Sequence, residues 1–235
     1  MNISIITLFP QSIEAYLQES MMKRALAHGI LSVQVIDLRP FGEGPHHKVD
    51  DRPFGGGPGM VLKVDPIVHA IAQALGDKDD MMIRDKPISI SPYHRTKIIL
   101  LSPAGKQFTS KLAATYAKKY SHIIFICGRY EGVDARLKKV VRTTFGLTLE
   151  EISIGPYVLS GGELPAMVIM EAVARHVPGF LGKEESLEER RLGVGVPMYT
   201  RPSVLEINKK TFKVPTVLQS GDHGKIQEWR MEHRK

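Results

Sequence analysis

At 235 residues, with 43% hydrophobic content and a net charge of +7, the chain can bury a real core in one fair-sized domain, with or without a small appendage. No stretch approaches the ~20 consecutive apolar residues of a membrane span, and a single cysteine, Cys127, excludes an intramolecular disulfide. With an N-terminus that runs straight into the strand-like Ile3-Ser4-Ile5-Ile6, the expectation is a soluble cytoplasmic protein with no signal peptide and no membrane association.

The basic balance is compatible with a nucleic-acid partner. Residues 201–235 hold eight Lys/Arg against four acids, although a solvated face has the same composition.

In chain order, residues 3–8 form a buried strand. Ser12 is placed to cap a helix running to His28, with Gly29 as its stop. Residues 32–38 are a second strand. Residues 39–60 then lose all periodicity and carry six glycines and four prolines, together with Lys48, Asp50, Asp51 and Arg52. A loop this long is functional or disordered, and its glycines suit close backbone approach to a bulky partner. His46 and His47 are adjacent, so a metal site there lacks further ligands.

A helix over 65–75 and an irregular polar stretch over 76–96 follow. Strands at 97–101, 122–127 and 149–154 come next. Each ends in a loop rich in Gly, Pro or Ser, and each loop leads into helix. Alternating β and α predicts a parallel sheet, and ligands of such sheets sit beyond the carboxyl ends of the strands. Topology therefore nominates one cleft, built from residues 101–105, 128–132 and 154–162. Cys127 ends an apolar run and reads as a small buried hydrophobe, not a nucleophile.

The stretch 151–167, EISIGPYVLSGGELPAM, organises the rest: a strand, a glycine loop, and a helix with Pro165 in its first turn. Residues 164–177 carry one apolar helical stripe. A plain connection needs fewer residues than this loop has, and Tyr157, Val158 and Leu159 can wall a pocket for a flat heterocycle. The phosphate-loop and dinucleotide glycine motifs are absent. Residues 183–191 are a charged run that composition alone assigns to a solvated helix or linker, and 227–234 read as a helix anchored by Trp229.

Five ordered segments, VDDRPFGGGPGM (49–60), CGRYEG (127–132), 153–167, YTRP (199–202) and SGDH (220–223), resemble bacterial tRNA (guanine-N1-)-methyltransferases. The resemblance covers nearly the whole chain. It implies the SPOUT α/β class: a parallel sheet with helices on both faces, a C-terminal trefoil knot, and a small, mostly helical C-terminal domain. It divides the chain into a knotted domain (1–182), a flexible linker (183–198) and a basic tRNA-binding domain (199–235) that is short for the family.

The implied activity is transfer of a methyl group from S-adenosylmethionine to N1 of the guanine immediately 3′ of the anticodon, by a homodimer, with Mg2+ reported as a requirement. The implied cofactor contacts are Leu101, Pro103, Gly128, Tyr130, Glu131, Gly132, Ile154, Gly155, Pro156, Tyr157, Val158, Leu159, Gly161, Gly162 and Pro165. Substrate contacts fall on Asp51, Arg52, Gly56, Gly57, Pro58, Gly59 and Ser186. Arg175 matches the arginine that stabilises charge on O6.

Where the family has an aspartate-serine pair as proton acceptor, this chain has Glu185-Ser186, with Glu188 and Glu189 as rivals. Pro156 stands where the family has an aspartate, and the chain ends at Lys235 before the family's further basic helical stretch, so weaker tRNA binding is expected. The missing aspartate leaves two alternatives open: a related knotted methyltransferase acting on another RNA, and a non-catalytic RNA-binding protein.

Overall fold

The computed structural model describes residues 1–76, 95–182 and 195–234. It divides into two compact units, Met1–Phe180 and Leu181–Lys235.

The first unit is built on a five-stranded sheet: β1 (Asn2–Thr7), β2 (Ser32–Asp37), β5 (Thr96–Gln107), β6 (His122–Cys127) and β7 (Leu149–Ser153). Its spatial order is β2-β1-β6-β5-β7, and every pairing is parallel. The central strands β1 and β6 are buried over all but their first residue, as near-continuous apolar runs in a covered parallel sheet should be.

Side chains alternate between faces. Ile6, Ile98, Ile124 and Ile126 pack into one core with Ile67, Ile71, Leu137, Val141 and Phe145, which come from α3 (Val64–Ala74) and α5 (Leu137–Phe145). The opposite face is covered by α6 (Glu163–Ala174), which lies over β1 and β6 and packs against α1 (Pro10–Leu17) and α4 (Ser110–Lys119). No helix among the described residues is long and apolar enough to cross a membrane.

Three local departures from the sequence reading have physical causes. The helix expected over 12–28 is two helices, α1 and α2 (Ser20–Ala27), with Glu19 extended and Ser20 at φ 44° between them. Leu17 and Met22 are both buried but five apart, a spacing one straight helix cannot bring to one face. Pro10 opens α1 after Phe9, and the Ser12 hydroxyl donates to the Phe9 carbonyl at 2.7 Å instead of capping.

Strand β5 does not end at residue 101. Leu101 and Lys106 both stand opposite Ile152, so 102–105 bulge out and the strand resumes in the same place. Helix α5 starts at Leu137, not at 133, because Val133 bridges Leu62 and the Asp134 carboxylate accepts from the Arg136 N–H at 2.9 Å.

The second unit adds a β-hairpin to the helix expected over 199–235. Its described residues hold a hairpin, β8 (Val204–Ile207) with β9 (Lys210–Lys213), a single 3-10 turn over Thr216–Gln219, and the helix α7 (His223–Glu232). Leu205 pairs with Phe212 across the hairpin, and Asn208 and Lys209 turn it with φ of 52° and 62°. Two consecutive positive φ values give the turn that matches strand twist. Asp222 caps α7, and the Trp229 ring stacks on His233 at 4.1 Å and meets Tyr199 edge-on at 6.1 Å.

Candidate functional site

The loops after β5, β6 and β7 converge on one cleft of about 480 Å³. The 154–162 loop crosses the 128–132 loop directly: the Gly162 N–H donates to the Gly128 carbonyl at 3.0 Å, and Arg129 bridges Gly161. A Cβ on Gly162 would lie 2.7 Å from the Cys127 Cα, so only glycine lets the crossing close. At the start of the loop, the Ser153 hydroxyl donates to the Gly155 carbonyl at 2.9 Å and accepts from the Gly155 N–H at 3.2 Å. The Tyr157 ring then folds back over Gly155, where a Cβ would sit 2.2 Å from it.

The crossing is held by a buried charge. Glu163, in the first turn of α6, is 4% exposed. Arg129 pairs with it at 3.1 Å and donates a further bond to the Ser160 carbonyl at 3.1 Å; the Thr7 hydroxyl donates to the same carboxylate at 2.7 Å. The Arg129 guanidinium also stands 4.1 Å over the Phe9 ring. A carboxylate this deep is tolerated because it is both paired and hydrogen-bonded. Beside it, burial pushes the Cys127 thiol well above its ordinary value, which makes it unreactive.

Of the fifteen expected cofactor contacts, Leu101, Pro103, Gly128, Tyr130, Glu131, Gly132, Ile154, Gly155, Tyr157, Val158, Leu159, Gly161, Gly162 and Pro165 line this cleft. Pro156 is exposed and lies outside the lining. Arg129 lines it within the nominated 128–132 loop without having been assigned a role, and Asp134, Lys138 and Glu151 line it from outside the nominated loops. Arg129 sits inside the CGRYEG motif, so its position was available from sequence, but its partner across thirty-four residues was not.

The 49–62 segment is docked beside the cleft. Glu131 N–H donates to the Met60 carbonyl at 3.0 Å, Leu62 N–H to the Gly132 carbonyl at 3.0 Å, and Asp134 N–H to the Leu62 carbonyl at 3.1 Å. Gly59 lies so close to Glu131 that a Cβ would be 2.4 Å from its carboxylate. Asp51 is in β3 (Asp50–Asp51), which pairs with β4 (Val61–Leu62). Its carboxyl is held below the usual range, chiefly by the Lys48 ammonium at 3.0 Å and then by the Arg52 N–H. Arg52 is exposed, and Gly56, Gly57 and Gly59 take φ of 79°, 112° and 84° around Pro58.

Arg175 is the C-cap residue of α6, its N–H donating to the Glu171 carbonyl at 3.1 Å. Glu185, Ser186, Glu188 and Glu189 lie outside the described residues. Among the described residues no three His, Cys, Asp or Glu side chains gather in a group able to hold a metal ion.

Comparison with known proteins follows the same lines. A family model described as tRNA (Guanine-1)-methyltransferase TrmD matches residues 1–235. A tRNA (guanine-N(1)-)-methyltransferase of Carboxydothermus hydrogenoformans is 42% identical over 233 residues, covering 98% of this chain and 81% of the relative. One from Dictyoglomus turgidum is 42% identical over 233 residues (98% and 83%), and one from Anoxybacillus flavithermus is 42% identical over 235 residues (99% and 86%). With a match along its whole length and relatives this similar, the chain belongs to the tRNA (Guanine-1)-methyltransferase TrmD family.

Proposed function

We propose that this chain transfers the methyl group of S-adenosylmethionine to N1 of the guanine immediately 3′ of the anticodon in tRNA. Membership of the family supports the reaction. The observation that carries the site is the meeting of the 128–132 and 154–162 loops, with Gly162 on Gly128 at 3.0 Å, around one cleft.

The residues present fit the cofactor. A cleft of about 480 Å³ suits one small molecule, its rim offers backbone N–H and C=O groups on side-chain-free glycines, and Tyr157 and Leu159 supply flat and apolar walls. When bound, S-adenosylmethionine supplies a methyl group on a positively charged sulfur.

Guanine N1 carries a proton and is a poor nucleophile until that proton leaves. Glu185 is assigned as its acceptor, with Ser186 beside it and Glu188 and Glu189 as rivals. As the N1–H bond breaks toward the carboxylate and the N1–C bond forms, negative charge grows on O6. Arg175, at the end of α6, is assigned to meet it. Asp51, Arg52, Gly56, Gly57, Pro58 and Gly59 are assigned to holding the target base out of its stack.

The reading includes a homodimer, which the exposed apolar Leu164 and Val168 on α6 support, together with the exposed Tyr157, Val158 and Leu159 of the neighbouring loop. It also includes a trefoil knot in the C-terminal part of the sheet, a linker over 183–198, a tRNA-binding domain over 199–235 and a cytoplasmic location. The division of the chain near Phe180 supports a domain boundary there. Magnesium stays in the reading as a requirement of the reaction, with no residue assigned to it.

The test is single-turnover transfer of labelled methyl from the cofactor to an unmodified tRNA transcript. It is run beside Glu185→Gln and beside a transcript carrying adenine at the target position. Transfer lost in both controls supports the reading. Transfer to the adenine transcript overturns the substrate, and transfer surviving Glu185→Gln moves the base to Glu188 or Glu189.

A further inference from the structure

Phe54 is 99% exposed, the most exposed large hydrophobic side chain in the described structure. A bare phenylalanine ring is unfavourable in water, and nothing in the first unit covers it.

Its backbone setting is built to keep it out. The Gly56 N–H donates to the Pro53 carbonyl at 3.4 Å, closing a turn with Phe54 and Gly55 at its two central positions. Gly55 takes φ 86°, the positive value the second central position of a type II turn demands. Proline on either side, Pro53 and Pro58, stiffens the approach and the exit. At Gly55, Gly56 and Gly57 an added Cβ would meet nothing within 4 Å, so the turn stands clear of the rest of the molecule.

The root of the turn is fixed to the cleft. Met60 accepts from Glu131 at 3.0 Å, and Gly59 lies in contact with the Glu131 carboxylate. An exposed aromatic ring is thus carried on a projecting turn whose root at Gly59 and Met60 is fixed to the 128–132 loop. Of the two cations on the same segment, Lys48 is held by the Asp51 carboxylate at 3.0 Å, and the exposed Arg52 stands two residues before the ring. An exposed ring with an exposed guanidinium close by in the chain is the chemistry that takes an unpaired nucleobase with its phosphate.

We propose that Phe54 is a stacking platform for an unpaired RNA base adjacent to the methylated guanine, filling the place the guanine leaves in the loop stack when it turns into the cleft. Phe54 is then a positioning residue: it touches a neighbouring base, not the reacting atoms. The proposal rests on the reading above and deepens it.

The experiment compares wild type, Phe54→Ala and Phe54→Trp, using an anticodon-loop transcript with 2-aminopurine in place of the nucleotide next to the target. Fluorescence on mixing reports restacking of that base and needs no turnover. Labelled methyl transfer to the unsubstituted transcript is measured in parallel.

Wild type and Phe54→Trp are expected to give the same fluorescence change. Phe54→Ala is expected to lose it and to show about a tenfold loss in kcat/KM for tRNA, since a stacked base contributes on that order. KM for the cofactor and the Tm are expected to stay unchanged. Equal fluorescence and equal kcat/KM for Phe54→Ala overturn the proposal while leaving the methyltransferase reading intact. A changed oligomeric mass for Phe54→Ala overturns it in favour of a second copy of the chain covering the ring. A Phe54-dependent signal without methyl transfer by wild type sustains the platform and sinks the reading beneath it.

Discussion

Arg129, itself partly exposed, meets the buried Glu163 at 3.1 Å, and through that pair the loop after β6 is fastened to the start of α6. Neither charge has a substitute. Removing one leaves the other buried and unpaired, which costs about 3–5 kcal/mol. Arg129→Met is therefore expected to lower the Tm by roughly 6–20 °C for a unit of this size. Glu163→Gln should do less, because the amide still accepts from Thr7. Calorimetry of the two variants checks the order, and equal melting temperatures for Arg129→Met and wild type would sink it.

Gly162→Ala should weaken cofactor binding by forcing the two loops apart. The added methyl would meet the Cys127 Cα at 2.7 Å, and backbone cannot rotate away as a side chain does. The expected outcome is at least a tenfold rise in the Kd for S-adenosylmethionine by calorimetric titration. Gly132→Ala tests the contrast: an added Cβ there meets nothing within 4 Å, so its cost comes from φ 112° alone.

His122 opens β6 in register with Asn2 and Thr96, its Nε2 2.9 Å from the Ser4 hydroxyl. Burial holds its imidazole below the ordinary 6.5. The unfolded chain therefore takes up the proton first. The stability this group contributes is fully present above about pH 6.5 and is lost as pH falls through the folded value. Tm measured from pH 7.5 to 5 should decline, and His122→Gln, which keeps a hydrogen-bonding group but does not titrate, should flatten that decline. A slope unchanged in the variant would show that other groups set it.

Lys209 takes φ 62° in the β8–β9 turn, a left-handed conformation that costs a side-chain-bearing residue about 1 kcal/mol. Lys209→Gly creates Asn-Gly, the preferred pair for this turn. Amide exchange at Val214, whose N–H donates to the Ser203 carbonyl at 2.9 Å beside the hairpin, is expected to slow several-fold. Faster exchange would show that the turn does not limit the hairpin.

The elements with strong periods were legible in the sequence. Strand β6 was bounded to the residue, and α3 to within one, because Ile123 to Cys127 and Ile67 to Ala74 are apolar without interruption or at helical spacing. The cleft was legible from topology, since each nominated loop follows a parallel strand. The break at Ser20 was hidden because only the burial of both Leu17 and Met22 reveals it. The hairpin was hidden because its exposed strands, Val204–Ile207 and Lys210–Lys213, carry no buried face to give an alternation. The Arg129–Glu163 pair was hidden because attraction between residues thirty-four apart leaves no periodic trace.

Leu101 and Lys106 share one place in the sheet, both opposite Ile152. The four residues between them are therefore spliced out of the ladder: the strand on either side does not register how many there are or what they are. Natural variation at 102 and 104 can reshape one wall of the cleft with no repacking of the sheet behind it. Only Gly105 is bound by the splice, since a side chain there would strike the Ile152 backbone nitrogen at 2.5 Å. Among related chains, diversity should gather at 102 and 104, spare Pro103 where it lines the cleft, and stop at that glycine.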